Sequence, residues 1–291
     1  MESERITIQA IAGSSEVVVN YSDDDIVIID TVNKLVEPTV ARLNMNVFVV
    51  SFHGRATCEV NGQQLEIHEN QVVIFPPNVT LDKFMMSPDF EFKGMFLTNP
   101  ILQSFLREKI GLWNEMMYVH KSHVLTIDAT EMEFIKYLYQ TLQLSIESDD
   151  KNPYKSDVIQ SLLRAAILGL CGKFSHMLTE EKPSPRPRHD TLFQRFLDLL
   201  GNNAVKHRTV EYYASQLYVS PKYLSAVCKK KSGKTANEWI REHVLEDIRY
   251  YLRETDYSIK QICDMTGFPN TSFFGKYVKE HFGITPSKMR S

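Results

Sequence analysis

The sequence predicts an α+β chain of two domains: an N-terminal antiparallel β-barrel carrying a helical pair, and a C-terminal all-α domain built on two helix–turn–helix units. Three observations predict it. Up to about Thr98 the apolar residues come in short Val-, Ile- and Phe-rich runs cut by turn formers, which is strand patterning. Beyond Asn99 the apolar spacing changes to the period of helices. Across residues 179–189, Pro183, Pro185 and Pro187 alternate with polar residues, a spacing that no helix or ladder survives. That stretch is an extended linker between a domain at 1–178 and one at 190–291.

The candidate strands are ITIQAIA, IVIID, NVFVVSF, RATCEV, QLEI, QVVIF and FEFKGMFL. Asn61-Gly62 lies between two alternating segments, the strongest short-range hairpin signature, and puts Ala56, Cys58 and Val60 inward with Thr57 and Glu59 outward. Asn70 and Pro76-Pro77-Asn78 mark the next turns, and their regular spacing predicts a small antiparallel barrel. A metal-binding barrel needs ligands on one strand face, at i and i+2. This chain has no His-x-His. His120 and His123 read as opposite faces of a strand, and His53 and His68 are isolated. No metal, cofactor or catalytic residue is expected, since no paired acid/base motif and no Gly-rich phosphate loop occurs either. The apolar interior reads as core, with room for an organic effector as the sharper alternative.

Ile101 to Ile110 reads as a short helix and 131–178 as the helical pair. Ile135, Leu138, Tyr139, Leu142 and Ile146 stripe its first member (131–148). Ile159, Leu162, Leu163, Ala166, Leu170 and Phe174 stripe the second (155–178). That is more apolar surface than a small barrel needs. Leu138, Leu142, Leu162, Ala166 and Leu170 are therefore candidate dimerisation residues, against an intramolecular hairpin as the plainer reading. Cys58, Cys171, Cys228 and Cys263 have no Cys-x-x-Cys spacing and read as reduced core residues. The longest apolar runs, such as AAILGLC, fall short of the roughly 18 residues of a membrane span, and the acidic MESERITIQA is unlike a signal peptide. A cytoplasmic location with no membrane partner is expected.

In the C-terminal domain, Asp190 caps a helix whose Leu192, Phe193, Phe196, Leu197 and Leu200 face inward. Val210, Tyr213, Ala214 and Leu217 then form one helical face, Tyr218-Val219 a turn, and Ser220-Pro221 an N-cap followed by a first-turn proline. In the helix that follows, Leu224, Val227 and Cys228 point inward, while Lys222, Ser225, Ala226 and Lys229 face out. After a helical connection at 237–254 the plan repeats. Ile259, Ile262, Cys263 and Thr266 share a face, Gly267-Phe268-Pro269-Asn270 turns, and Phe274, Val278 and Phe282 form the next inner stripe. Thr271, Ser272, Gly275, Lys276 and Lys279 remain outside.

A B-DNA major groove admits one α-helix, whose exposed face meets base edges while flanking lysines meet phosphates. Lys222, Ser225, Ala226, Thr271, Ser272 and Lys276 are the candidate base-facing residues, with Lys222 read as holding in the first helix the position of Lys276 in the second. Lys229, Lys230, Lys231 and Lys279 are the candidate backbone contacts. Charge agrees. Residues 186–291 hold 18 Lys and Arg against 11 Asp and Glu, a net +7, whereas the other residues hold 15 against 25, a net −10. A net charge of −3 conceals that split.

GFPNTSFFGKYVKEHFGITPSKMR resembles the C-terminal signature of AraC/XylS-type bacterial transcription regulators. The resembling features are Gly267-Phe268, the aromatic-rich second reading helix, Lys279, Phe282-Gly283 and Thr285-Pro286-Ser287 followed by Arg290. The resemblance covers Asp190 to Ser291 and extends loosely to the N-terminal half, where the hairpin and QVVIFPPN resemble a cupin-like sensor domain. It implies a seven-helix DNA-binding domain, an effector-responsive homodimer joined through the helical pair, and contact with RNA polymerase. Two features depart from the family pattern: Ala226, where a longer polar side chain is common, and Cys228, where a larger aromatic is common. The first implies weak direct readout by the first unit. A cupin-barrel enzyme or small-molecule binder with an appended DNA-binding domain is the competing reading, and a purely structural nucleoid binder a third.

Overall fold

The structure is a computed structural model. It describes residues 4–6, 8–13, 17–32, 41–107, 109–120, 123–148, 152–180, 192–202 and 209–290. The linker expected at 179–189, and Asp190 with it, lies outside these apart from the end of a helix that runs to Glu180. The chain forms two compact units: Met1–Lys109 with His120–Thr179, and Ile110–Val119 with Glu180–Ser291.

The first unit opens with β1 (Glu4–Ile6), α1 (Ile8–Ala12), β2 (Val17–Ser22), β3 (Ile26–Val32), β4 (Ala41–Leu43) and β5 (Asn46–His53). It continues with β6 (Ala56–Val60), β7 (Gln63–Ile67), β8 (Gln71–Phe75), β9 (Thr80–Met86), β10 (Glu91–Leu97) and α2 (Asn99–Leu106). The strands make two sheets, ordered β1-β4-β9-β6-β7 and, with a late strand at Val124–Thr126, 124–126-β8-β5-β10-β3-β2. Val27, Val47, Val73 and Phe75 from one sheet and Leu43, Ala56, Cys58, Val60 and Ile67 from the other fill one apolar core. Asn61 and Gly62 both adopt the left-handed backbone, with φ of 51° and 80°, so the hairpin turns as its sequence requires. Asn70 and Asn78, at 58° and 72°, do the same at the next two turns. Among the described residues all pairings are antiparallel except β1 with β4, which run parallel. More than thirty residues separate that pair, enough chain for the crossover a parallel partner needs.

The expected helix at 101–110 is instead two, α2 and α3 (Ile110–Asn114), and α3 runs on into a π-helical turn at Glu115–His120. β11 (Val124–Thr126) follows. His120 and His123 therefore do not share a strand: His120 ends the π turn, and His123 precedes β11 with Nδ1 3.1 Å from the Ile74 carbonyl oxygen. Among the described residues no three His, Cys, Asp or Glu side chains are grouped to hold a metal.

The helical pair is α4 (Ala129–Glu147) and α5 (Lys155–Glu180). A capping box joining Asp128 and Glu131 starts α4. Its Tyr139 hydroxyl bonds the Asp30 carboxylate on β3, and Asn20 on β2 donates to the same hydroxyl at 3.0 Å. Lys93 of β10 lies 3.2 Å from Asp30 and 5.3 Å from the Tyr139 ring centre. Lys173 on α5 meets Glu131 at 2.6 Å. By length and composition α5 would suffice to cross a membrane over Lys155–Met177. The run-length reading missed this because Arg164 and Lys173 interrupt the apolar stretch. Its apolar residues divide into a buried stripe, Ile159, Leu163, Ile167, Cys171 and Phe174, and an exposed one.

Among the described residues the second unit contains α3, most of the π turn and seven further helices. These are α6 (Leu192–Asn202), α7 (Val210–Gln216), α8 (Pro221–Ser232), α9 (Ala236–Glu254), α10 (Ile259–Met265), α11 (Thr271–Phe282) and α12 (Pro286–Arg290). α9, about 28 Å long at 1.5 Å per residue, packs against α7, α8, α10 and α12 and so ties the two halves together. α6 packs on α7, α8 and α3. Tyr118 meets the Trp239 ring edge-on at 5.2 Å, and Trp113, Met116 and Met117 are buried. Residues 110–119 thus belong to the core of this unit, although the chain reaches them long before the linker.

Candidate nucleic-acid interface

The two reading helices are set by matching punctuation. Ser220 Oγ accepts the Tyr223 N–H at 3.2 Å and Asn270 Oδ1 accepts the Phe273 N–H at 2.9 Å, so each helix begins on a side-chain cap. Each ends on a left-handed glycine, Gly233 at φ 74° and Gly283 at φ 73°, whose N–H returns to Lys229 and Lys279 at 3.0 Å. Caps and ends are offset by fifty residues, and both helices have 12 residues. The helices before them, α7 and α10, are offset by 49, because the second turn is one residue longer.

That register corrects one reading made from sequence. Lys222 corresponds to Ser272, and Lys276 corresponds to Ala226. Spacing within each helix cannot show this, whereas the shared caps do.

Leu224 and Cys228 of α8, and Phe274 and Val278 of α11, are fully buried. Burial pushes the Cys228 thiol up to about 12. Of the base-facing candidates Lys222, Ala226, Thr271, Ser272 and Lys276 are exposed, while Ser225, like its counterpart Gly275, is half-buried at the edge of the packed face. Lys229, Lys230, Lys231 and Lys279 are exposed. Neither helix has an acidic residue in its first turn, and both have basic residues in the last. The positive end of each dipole is therefore open to an anion.

Three exposed aromatics lie near these residues but outside the base-facing and backbone-contact sets. Tyr223 and Phe273, 57% and 60% exposed, stand at corresponding positions, and Tyr218 in the first turn is 91% exposed. A helical wheel carries the information for the pair: each lies three residues before an outward position, Ala226 or Lys276, and so shares its face.

Behind the reading helices the halves are built differently. Lys234 is buried, its ammonium 2.7 Å from Glu242 and 5.0 Å from the Trp239 ring centre. Trp239 donates to Ser232 Oγ at 2.8 Å, and that hydroxyl donates to the Cys228 carbonyl at 2.9 Å. In the second half the counterparts of Ser232 and Lys234 are Phe282 and an exposed Ile284. There Arg249 covers the Phe282 ring at 5.4 Å.

The five dimerisation candidates differ in exposure. Leu142 is buried, and Leu138, Leu162, Ala166 and Leu170 are half-buried. The exposed large apolar residues of the pair are Phe134, Tyr137 and Leu144 on α4 and Val158 and Leu168 on α5. On α5 the exposed Val158, Ser161, Ala165, Leu168 and Gly172 follow an alternating three–four spacing, the seam of a coiled coil.

Residues 213–291 match the protein family described as "Helix-turn-helix domain". The regulatory protein PocR of Salmonella typhimurium is 30% identical over 112 residues, 38% of this chain and 36% of that one. The transcriptional activator RhaR of Salmonella schwarzengrund is 22% identical over 148 residues, 51% of each chain. The chain thus spans about half or less of the length of these curated relatives. Among solved structures, ToxT of Vibrio cholerae is 13% identical, with 91% of this chain and 97% of that one covered at a TM-score of 0.37.

Proposed function

We propose that this chain, whose residues 213–291 match a helix-turn-helix domain, is an AraC-type, sequence-specific DNA-binding transcription regulator that reads two major-groove segments through α8 and α11. The observation that carries this reading is the duplication itself. Two 12-residue helices share register, caps and a buried inner stripe, and each turns a polar, basic face outward. Packing alone gives no reason to keep both outer faces free of acids in their first turns.

In this reading Lys222, Ala226, Thr271, Ser272 and Lys276 face bases, with Ser225 at the margin, and Lys229, Lys230, Lys231 and Lys279 hold phosphates. The protein works as a cytoplasmic homodimer through the exposed faces of α4 and α5. The N-terminal unit is the sensing part, with a small organic effector and RNA polymerase as further partners. It is not an enzyme.

Selection of bound fragments from the source genome by the purified chain, followed by titration across salt concentrations, tests the reading. One preferred sequence spanning two groove segments is expected, with affinity falling steeply as salt rises. Binding that is absent from every pool, or indifferent to sequence, overturns it.

A further inference from the structure

Tyr223 and Phe273 present a physical problem that the lysines do not. Each is the third residue of a reading helix, held there because its own N–H is bound by the N-cap side chain. Each precedes a fully buried residue, Leu224 or Phe274, yet leaves its own ring in water, 57% and 60% exposed. An exposed phenyl ring forgoes the burial that normally places phenylalanine inside a protein. The same choice at the same register in both halves calls for a recipient of apolar surface on the outer face.

Helical side chains lean toward the N-terminus, so both rings overhang the end of the helix whose residues meet base edges. Exposed lysines lie on the same helices: Lys222, next to Tyr223, and Lys229 in the first half, and Lys276, one turn after Phe273, and Lys279 in the second. A recipient seated among these cations must be anionic overall and locally apolar. Duplex DNA meets both conditions, and in its major groove the one apolar group on a base edge is the 5-methyl of thymine.

We propose that Tyr223 and Phe273 are specificity-determining residues that each select a thymine by packing on its 5-methyl group, one in each groove segment. The inference rests on the DNA-binding reading above.

The test uses the full chain and the duplex selected from genomic DNA, with deoxyuridine replacing thymine one position at a time. Removing one buried methyl should weaken binding about fourfold. Such losses should fall in two places on the duplex, one in each groove segment. Phe273→Ala should erase the loss in one segment and Tyr223→Ala in the other. Neither variant should change the dependence of affinity on salt, because neither removes a charge. Both rings are exposed, so melting temperatures should stay near the parent value. If deoxyuridine is tolerated everywhere, or the losses persist in both variants, the proposal is overturned while DNA binding stands, and the rings face some other macromolecule. If the chain binds no duplex, the functional reading falls first and takes this inference with it.

Discussion

Tyr218 and Gly267 occupy the same left-handed position in the two turns, with φ of 57° and 71°. Glycine adopts that backbone freely, whereas a residue with a Cβ pays roughly 1–2 kcal/mol for it. The first turn therefore stores strain that the second does not. The Tyr218 ring, 91% exposed, recovers little of it through packing.

Tyr218→Gly should accordingly stabilise the protein, by about 1 kcal/mol once the extra freedom of the unfolded glycine is deducted. Tyr218→Ala keeps the strain and should gain nothing. Thermal unfolding of the two variants beside the parent separates these outcomes. Equal stability of all three would mean that the turn carries no strain.

The segment at 110–119 yields a second expectation. Trp113, Met116 and Met117 are buried in the C-terminal unit, with Tyr118 against Trp239. Trp113→Ala should cost about 3–5 kcal/mol by leaving a cavity. A fragment of residues 186–291, which contains both reading helices, lacks this segment and should melt below the intact chain. A peptide spanning 109–120 added in trans should raise its melting temperature. No response to the peptide would show that the segment is dispensable to that core.

This segment also marks the limit of what local sequence patterns specify. Strand runs, caps, turn glycines and the inner stripes of α8 and α11 are local features, written in spacings of two to four residues, and they could be read directly. Which distant element Trp113 joins is a long-range matter, and its apolar run fits either unit equally well. The register of Lys222 against Ser272 was missed for a related reason. Each helix was read from its own periodicity, but correspondence between two copies depends on caps in both. The inward turn of Leu142 was missed because amphipathic spacing shows that a stripe exists without showing which of two apolar sides is covered.

That last point separates two kinds of substitution on the helical pair. Leu144 and Leu168 are exposed, whereas Leu142 is buried. If α4 and α5 meet a second copy, Leu144→Glu with Leu168→Glu should yield a folded monomer, as seen by sedimentation and circular dichroism. Leu142→Glu should instead lower the melting temperature, because it buries an unpaired carboxylate. A parent chain that sediments as a monomer at every concentration would remove the dimer from the proposed function.

The buried thiols admit a direct chemical check. All four cysteines are buried and unpaired with one another. Burial pushes Cys58 and Cys171 up to about 11 and Cys228 to about 12, so almost none of their thiolate is present near neutral pH. Ellman's reagent should react slowly or not at all with the native chain and with four thiols after denaturation. A rapidly reacting thiol in the native protein would place at least one of them outside the core.

The register of the reading helices finally assigns different effects to three positions on their outer faces. Lys276 lies mid-helix and exposed, one residue after the half-buried Gly275, whose missing side chain lets the backbone approach the groove floor. Its ammonium can reach guanine O6 and N7. Lys276→Ala should therefore cost about 1–3 kcal/mol on the preferred site and relax discrimination at one base pair. Lys230 lies two residues before the end of α8, where phosphates are the nearer anions. Lys230→Ala should weaken all sequences alike and lower the salt slope by about one. Ala226 holds in the first helix the place of Lys276 and has no charge to lose. Ala226→Lys should raise affinity, steepen the salt slope, and create a new base preference in the first groove segment. Competition titrations of the three variants against every single-base change in the selected site will distinguish them. Identical profiles for Lys276→Ala and Lys230→Ala, or no new preference from Ala226→Lys, would mean that the helices meet DNA by other faces.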